Sequence, residues 1–404
     1  MPSAKKRVLF ISNGHGEDNH SSYIIETLRE LCPTLDIAAM PIVGEGQAYL
    51  RLDVPIIGPT LTLPSGGFTY MNRLKLFRDI QAGLISLTWR QYQAVKQYAK
   101  SCDLIHATGD TVGQSFAYLS GRPFISFISC LSSLYEGSLT IGPIMRHIFN
   151  SPRCLAIFTR DPHTAEDLQK KGFTKAQFGG IPSLDRLVPT GKDLYLLPEA
   201  PTVALLPGSR LPEAVRNFRL QLQLAQKVFR LQPQPRIQFR AALVSGLMKQ
   251  LPEIALAEGW HHESGKLSHP DGGEVWCFSN AFNDILHQAI LVIGMAGLAV
   301  DQAVAIGKPI IQIPGEGPQF TYAFAEAQTR LLGINAQTIG TRPATPAILE
   351  EAAQCIIKTL HNHDYIAACE KAGKERFGEA GASFRIAQVL MEQLGKEIEP
   401  ISVG

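Results

Sequence analysis

A chain of 404 residues, 45% hydrophobic and 18% charged, has ordinary globular composition and is too long for a single ordinary core, so two domains are expected. A formal net charge of +2 excludes a broad electrostatic footprint for nucleic acid, and no such partner is expected. The seven cysteines (Cys32, Cys102, Cys130, Cys154, Cys277, Cys355, Cys369) are scattered without a CxxC pair, which excludes a disulfide framework and zinc-site spacing.

The chain opens with a basic stretch, Met1–Arg7, that runs into Val8–Ser12 and stops at Asn13-Gly14. That apolar run is too short for a signal h-region and reads as a first strand. No apolar stretch approaches the roughly twenty residues of a membrane span. The expected location is therefore cytoplasmic, with any membrane contact peripheral on the inner face. A helix follows from about Asn19 to Leu31, with Asp18 or Asn19 as N-cap. Further strands are expected at Leu35–Ala39, Asp103–Ala107, Phe124–Ile128 and Leu155–Phe158.

Between Leu35–Ala39 and Asp103–Ala107 lies Phe68–Tyr98, where Phe68, Phe77, Leu84 and Trp89 alternate with Arg73, Arg78 and Arg90. Mixed aromatic, aliphatic and basic residues at helical spacing suit an interfacial helix on anionic lipid. A helix packed on a sheet with its arginines outward has the same pattern.

A second series begins at Thr202–Leu206, turns at Pro207-Gly208-Ser209-Arg210 and enters a helix from about Glu213 to Arg230. Strands are expected at Arg236–Ala241, Glu274–Phe278, Leu291–Ile293 and Pro309–Ile313, and the pattern is helical after about Thr341, closing at Ala382–Leu394. Strand–helix alternation argues for parallel sheets covered on both faces. Two series, each restarting with a strand and a glycine turn, argue for two Rossmann-like domains joined near Pro189–Pro201. The expected partition is 1–190, 191–365, and a helical segment 366–404 that packs back on the N-terminal domain.

Chemistry-bearing residues stand where strands should end. Gly208 permits close backbone approach, the following helix offers orphan N–H groups to an anion, and Arg210 adds a forked donor suited to a diphosphate. An ordinary βα turn with a solvated arginine fits the same residues. The run Gly294–Asp301 opens a later helix, where an acid can hold ribose hydroxyls or simply favour the first turn. In the first half, Gly14-His15-Gly16-Glu17-Asp18 and Thr108-Gly109-Asp110 both follow strands. Asp110 suits a general base for an acceptor hydroxyl, with His15 and Glu17 as competitors; Asp110 as a helix cap is the alternative.

Taken together these pieces resemble the lipid-A-disaccharide synthase family. Its Leu-Pro-Gly-Ser-Arg phosphate loop followed by Glu stands here as Leu206–Arg210 with Glu213. Its His-Pro-x-x-Asp pattern appears as Ile181-Pro182-Ser183-Leu184-Asp185, and its Gly-Thr-Ala-Thr-Leu-Glu-Ala run corresponds to Ala296–Gln302, with Asp301 replacing the glutamate. Pro318-Gln319 with Tyr322-Ala323 resembles the Gln-x-x-Asn-Ala region of related UDP-GlcNAc transferases, Gly16-Glu17-Asp18 is similar to the family's early acidic loop, and Asp110 lies within one residue of its proposed catalytic aspartate. The Trp-Ala-Trp signature is missing, with Phe127–Leu131 near its place.

The resemblance implies a GT-B architecture, two Rossmann-like domains facing across a cleft with C-terminal helices closing the structure. It implies Gly208, Ser209, Arg210, Glu213, Gly297, Asp301 and Gln319 on a UDP-sugar donor, and an inverting transfer of a GlcNAc-type sugar to a lipid-linked or glycolipid acceptor. Neither metal nor cofactor is implied, the UDP-sugar being a substrate, and no Asp-x-Asp motif occurs. Acceptor or membrane contact falls to Phe68, Arg73, Phe77, Leu84 and Trp89, and homodimerisation is left open. A UDP-GlcNAc 2-epimerase-like enzyme and a non-catalytic nucleotide-sugar- or lipid-binding protein of the same fold are the alternatives.

Overall fold

The structure, a computed structural model, describes residues 5–61, 83–234, 236–317 and 320–395. The chain forms two compact units: one runs to Arg186 and takes back the chain from Glu379 onward, and the other is Leu187–Gly378.

The first unit is built on a six-stranded sheet of β1 (Arg7–Ser12), β2 (Asp36–Pro41), β3 (Leu104–Thr108), β4 (Phe124–Ile128), β5 (Cys154–Thr159) and β6 (Ala176–Phe178). The order is β2-β1-β3-β4-β5-β6, and every pairing is parallel. β1 shows why. Val8, Leu9, Phe10 and Ile11 are all fully buried. Val8 and Phe10 join a core with α1 (His15–Leu31), while Leu9 and Ile11 join another with α2 (Leu84–Tyr98) and α3 (Thr111–Leu119). A continuous apolar strand with alternate residues in two cores needs helices on both faces.

The closing helix α13 (Ala382–Gln393) belongs to this unit. It packs on α1 through Ile386, Ala387, Leu390 and Met391. Its first turn is held by Asp185, whose carboxylate accepts from the N–H groups of Gly381, Ala382 and Ser383 at 2.5, 3.1 and 2.7 Å. The Asp185 of the sequence pattern is thus a cap supplied from 196 residues away.

The second unit has eight strands: β7 (Thr202–Leu206), β8 (Gln238–Ala242), β9 (His261–Glu263), β10 (Lys266–Ser268), β11 (Glu274–Phe278), β12 (Leu291–Gly294), β13 (Ile310–Gln312) and β14 (Ala336–Thr338). Their order is β14-β13-β12-β7-β8-β11-β10-β9. Val203 and Leu205 pack against Phe218, Leu222, Ala225 and Val228 of α6 (Glu213–Leu231) and against α11 (Pro346–Leu360). An all-parallel sheet is corrected here: β10 pairs antiparallel with both β9 and β11. Ser264 and Gly265 both take positive φ between β9 and β10, the two-residue hairpin turn that matches strand twist.

The helix α12 (His363–Phe377) lies in the second unit, against α9 (Leu298–Ala305) and α11, so only the chain from Glu379 returns to the first. A boundary at 365 falls inside this helix.

Candidate functional site

In the second unit β7 lies between β12 and β8, so the chain leaves β7 towards one side of the sheet and β12 towards the other. Ligands of open α/β sheets settle outside the carboxyl ends at such a switch point. Gly208, in the turn after β7, has φ 95°, and a Cβ there would stand 3.1 Å from the Met295 carbonyl after β12. The two turns therefore touch, and the Met295 N–H donates to the Leu206 carbonyl at 2.8 Å. Ser209 and Arg210 are exposed beside this contact. Gly297, also exposed, precedes α9 with no side-chain cap, and open space surrounds its Cβ position. The orphan N–H groups of the first turn of α9 are thus adjacent to the Gly208 turn. The structure sets the turn that carries Gly208, Ser209 and Arg210 against Met295, two residues before Gly297.

The remaining donor candidates sit differently. Glu213 is buried, and its Oε1 accepts from the Phe320 N–H at 2.8 Å while lying against Gly317. It fastens the loop after β13, and Arg216 holds the same loop through the Glu316 carbonyl at 2.7 Å. Asp301 is only 5% exposed, inside the first turn of α9, and faces the interior of the unit. Gln319 lies outside the described residues.

In the first unit β1 lies between β2 and β3, a second switch point. The two turns that carry the acid–base candidates meet there. Asn13 Nδ2 donates to Asp110 Oδ1 at 2.6 Å, and a Cβ on Gly109 would be 3.0 Å from Asn13 Cβ and 3.4 Å from Glu17 Cγ. Asp110 is the N-cap of α3, accepting from the Val112 N–H at 2.9 Å. Burial raises its pKa, and the cap bond opposes this. His15 is exposed, with its ring against Gly44 in the loop after β2. Cys130, after β4, has its thiol pKa raised by burial and then by the charges of Glu17 and Asp110, which places all three in one electrostatic neighbourhood.

The expectation of an Asp18 or Asn19 cap is corrected: α1 begins at His15, so Glu17 and Asp18 occupy its first turn, where the macrodipole favours acids. Asp18 is drawn inward. Its Oδ1 accepts from the Ser12 hydroxyl at 2.5 Å, and that hydroxyl also meets Tyr49 Oη at 2.6 Å. Burial raises the Asp18 pKa to about 7, against the Ser12 bond that lowers it.

Phe68, Arg73 and Phe77 lie outside the described residues. On α2, Leu84 is half-buried and Leu87 buried, while Ile85 and Trp89 are 68% and 60% exposed one turn apart. Among the described residues no helix is long and apolar enough to cross a membrane.

Sequence reasoning missed Asn13 and a set of buried amides, Asn217, Gln221 and Gln328. The signal was present for two of them. Asn217 and Gln221 are one turn apart on the face of α6 that carries Ala214, Phe218 and Leu222, where a polar side chain needs a buried partner.

No protein-family model matches the chain. Over 237 residues it is 29% identical to the lipid-A-disaccharide synthase of Geobacter sulfurreducens, covering 55% of this chain and 58% of that protein. The chain thus spans less than two thirds of the length of the curated relative it matches. Solved structures match nearly end to end. S. aureus MnaA with UDP gives a TM-score of 0.61 at 12% identity, covering 98% of this chain and 99% of that one. The Neisseria meningitidis UDP-GlcNAc 2-epimerase bound to UDP-GlcNAc gives 0.55 at 11%, covering 97% and 100%. The calicheamicin glycosyltransferase gives 0.62 at 13%, covering 97% and 99%. The fold is GT-B. The chain is glycosyltransferase-like in fold, with sequence similarity to a lipid-A-disaccharide synthase.

Proposed function

We propose that the chain is an inverting, metal-independent glycosyltransferase that moves a GlcNAc-type sugar from a UDP donor to a lipid-linked or glycolipid acceptor. The observation that carries this is the contact of the two turns after β7 and β12, which sets the turn of Gly208, Ser209 and Arg210 against Met295, two residues before the uncapped Gly297, at one switch point. A diphosphate needs many donors fixed in advance, and a helix N-terminus beside a guanidinium supplies them. Arg210, Ser209 and the N–H groups around Gly297 hold the leaving diphosphate in this reading, with Glu213 keeping the adjoining loop in place.

Asp110 serves as the base. Asn13 and the Val112 N–H both engage Oδ1, which leaves the second oxygen for the acceptor hydroxyl, and a raised pKa makes that oxygen a better proton acceptor at neutral pH. His15 and Glu17, at the same sheet edge, are the competing bases. The exposed Ile85 and Trp89 of α2 support peripheral contact with the lipid surface that carries the acceptor.

The test is incubation with UDP-GlcNAc, with and without a glycolipid fraction. Transfer only with the acceptor supports the reading. In Asp110→Asn, transfer should fall by ~10²–10⁴ with UDP affinity unchanged. The epimerases of this fold favour a second reading, UDP-GlcNAc 2-epimerisation, which predicts turnover without any acceptor. UDP binding without either reaction would make the chain a binding protein.

A further inference from the structure

The walls of the switch point in the second unit are fastened by buried amide side chains, and their bonds run in one direction. Asn217 Nδ2 donates to the carbonyls of Pro207 and Met295 at 3.0 and 3.4 Å. Gln221 Nε2 donates to the Ile293 carbonyl at 3.1 Å. Gln328, on α10 (Tyr322–Leu332), donates from Nε2 to the carbonyls of Ala296 and Gly297 at 3.1 and 3.3 Å. Gln328 is itself oriented: its Oε1 accepts from Gln312 Nε2 at 2.6 Å, and Gln312 Oε1 accepts from Thr338 Oγ1 at 3.1 Å. Asn217, Gln221, Gln312 and Gln328 are each 4% exposed or less.

The chemistry follows from direction. Five main-chain carbonyls beside the site each accept a hydrogen bond from within the protein, so these five acceptors are engaged inside the wall. In the first turn of α9 the Val300 N–H already donates to the Gly297 carbonyl at 3.0 Å, while the N–H groups of Leu298 and Ala299 stand where a helix leaves its donors without a helical partner. What the two turns offer outward is weighted towards donors.

We infer that Asn217 and Gln328 are positioning residues that set the spacing and donor character of the two turns, and so confer selectivity for the diphosphate of a nucleotide over its nucleoside. This rests on the donor-site reading above. Neither side chain touches the ligand; both act through the carbonyls they hold. Asn217 fixes the Gly208 turn to the Met295 turn, and Gln328 fixes the residue that precedes α9. The two lie on different helices, so each is an independent probe.

The experiment is titration of UDP and of uridine against the full chain, Asn217→Ala and Gln328→Met, with thermal unfolding of each. In both variants UDP affinity is expected to fall about tenfold or more, the worth of one or two hydrogen bonds, with uridine affinity unchanged. A general loosening of the unit would weaken both ligands alike. Variants that fold and keep the wild-type preference for UDP over uridine overturn the inference, as does equal loss for both ligands. A wild-type chain that binds neither ligand overturns the donor-site reading instead. If one variant fails to fold, the other decides.

Discussion

Asp18 carries a pH dependence large enough to measure. It is 1% exposed, hydrogen-bonded to Ser12, and its pKa is raised from 3.8 to about 7 by burial. A carboxyl whose folded pKa exceeds its unfolded value stabilises the fold while protonated, and that contribution is lost as pH rises towards the folded pKa. The shift of about three units corresponds to ~4 kcal/mol between strongly acid and alkaline solution. Integrating between pH 5 and pH 8 leaves about 2–3 kcal/mol in that window, because part of the change lies below pH 5. Asp18→Asn removes the titration but keeps an oxygen for the Ser12 hydroxyl. The variant should therefore gain about 2–3 kcal/mol relative to the wild type on going from pH 5 to pH 8. Urea unfolding of both proteins at the two pH values measures this, and other titrating groups cancel in the double difference. The same stability difference at both pH values would refute a neutral, buried Asp18.

Three further outcomes are expected. His20 and His106 are both buried with pKa values lowered to about 3 by desolvation, so the stability they leave intact above pH 6.5 is lost as pH falls towards 3. His106→Gln should remove about one proton from the uptake on unfolding near pH 5, read from the slope of unfolding free energy against pH. Gly208→Ala places a side chain at φ 95° and 3.1 Å from the Met295 carbonyl, a cost of about 1–2 kcal/mol. UDP affinity should fall with it, and an unchanged titration would show that the turn is not part of the site. Asp185→Ala strips three N–H groups at the start of α13 of their acceptor and should cost about 1–2 kcal/mol, seen as a lowered unfolding midpoint.

The strands that were legible in the sequence are those buried on both faces. Val8–Ile11 and Val203–Leu206 are unbroken apolar runs ending in glycine turns, and each is an interior strand of its sheet, paired on both sides. Ala176–Phe178 and Ala336–Thr338 were not legible: each is three residues long and forms the end of its sheet, where half the pairing and much of the burial are missing. The hairpin of His261–Ser268 was lost for a related reason. Its residues are mostly polar, and its one strong signal, Ser264-Gly265, is a turn whose flanks do not alternate in the expected way.

For the candidate sites the division is sharper. Glycine and arginine after a strand are visible because their chemistry is local: Gly208 and Arg210 announce a turn and a charge wherever they stand. Glu213 was visible too, but its type said only that a carboxylate was present, not that a main-chain N–H from 107 residues away would claim it. The same holds for Asn13, whose amide goes to Asp110 across 97 residues, and for Asn217 and Gln328, whose partners are main-chain carbonyls. Every residue carries a carbonyl, so composition and spacing give no sign of which one an amide will find. What can be read is the anomaly, a polar residue on the apolar stripe of a helix, as with Asn217 and Gln221 beside Phe218 and Leu222. Burying an amide without partners costs about 1–3 kcal/mol, so each such residue marks a place where some distant backbone must come to meet it. In this chain the backbone that comes is the wall of the proposed donor site.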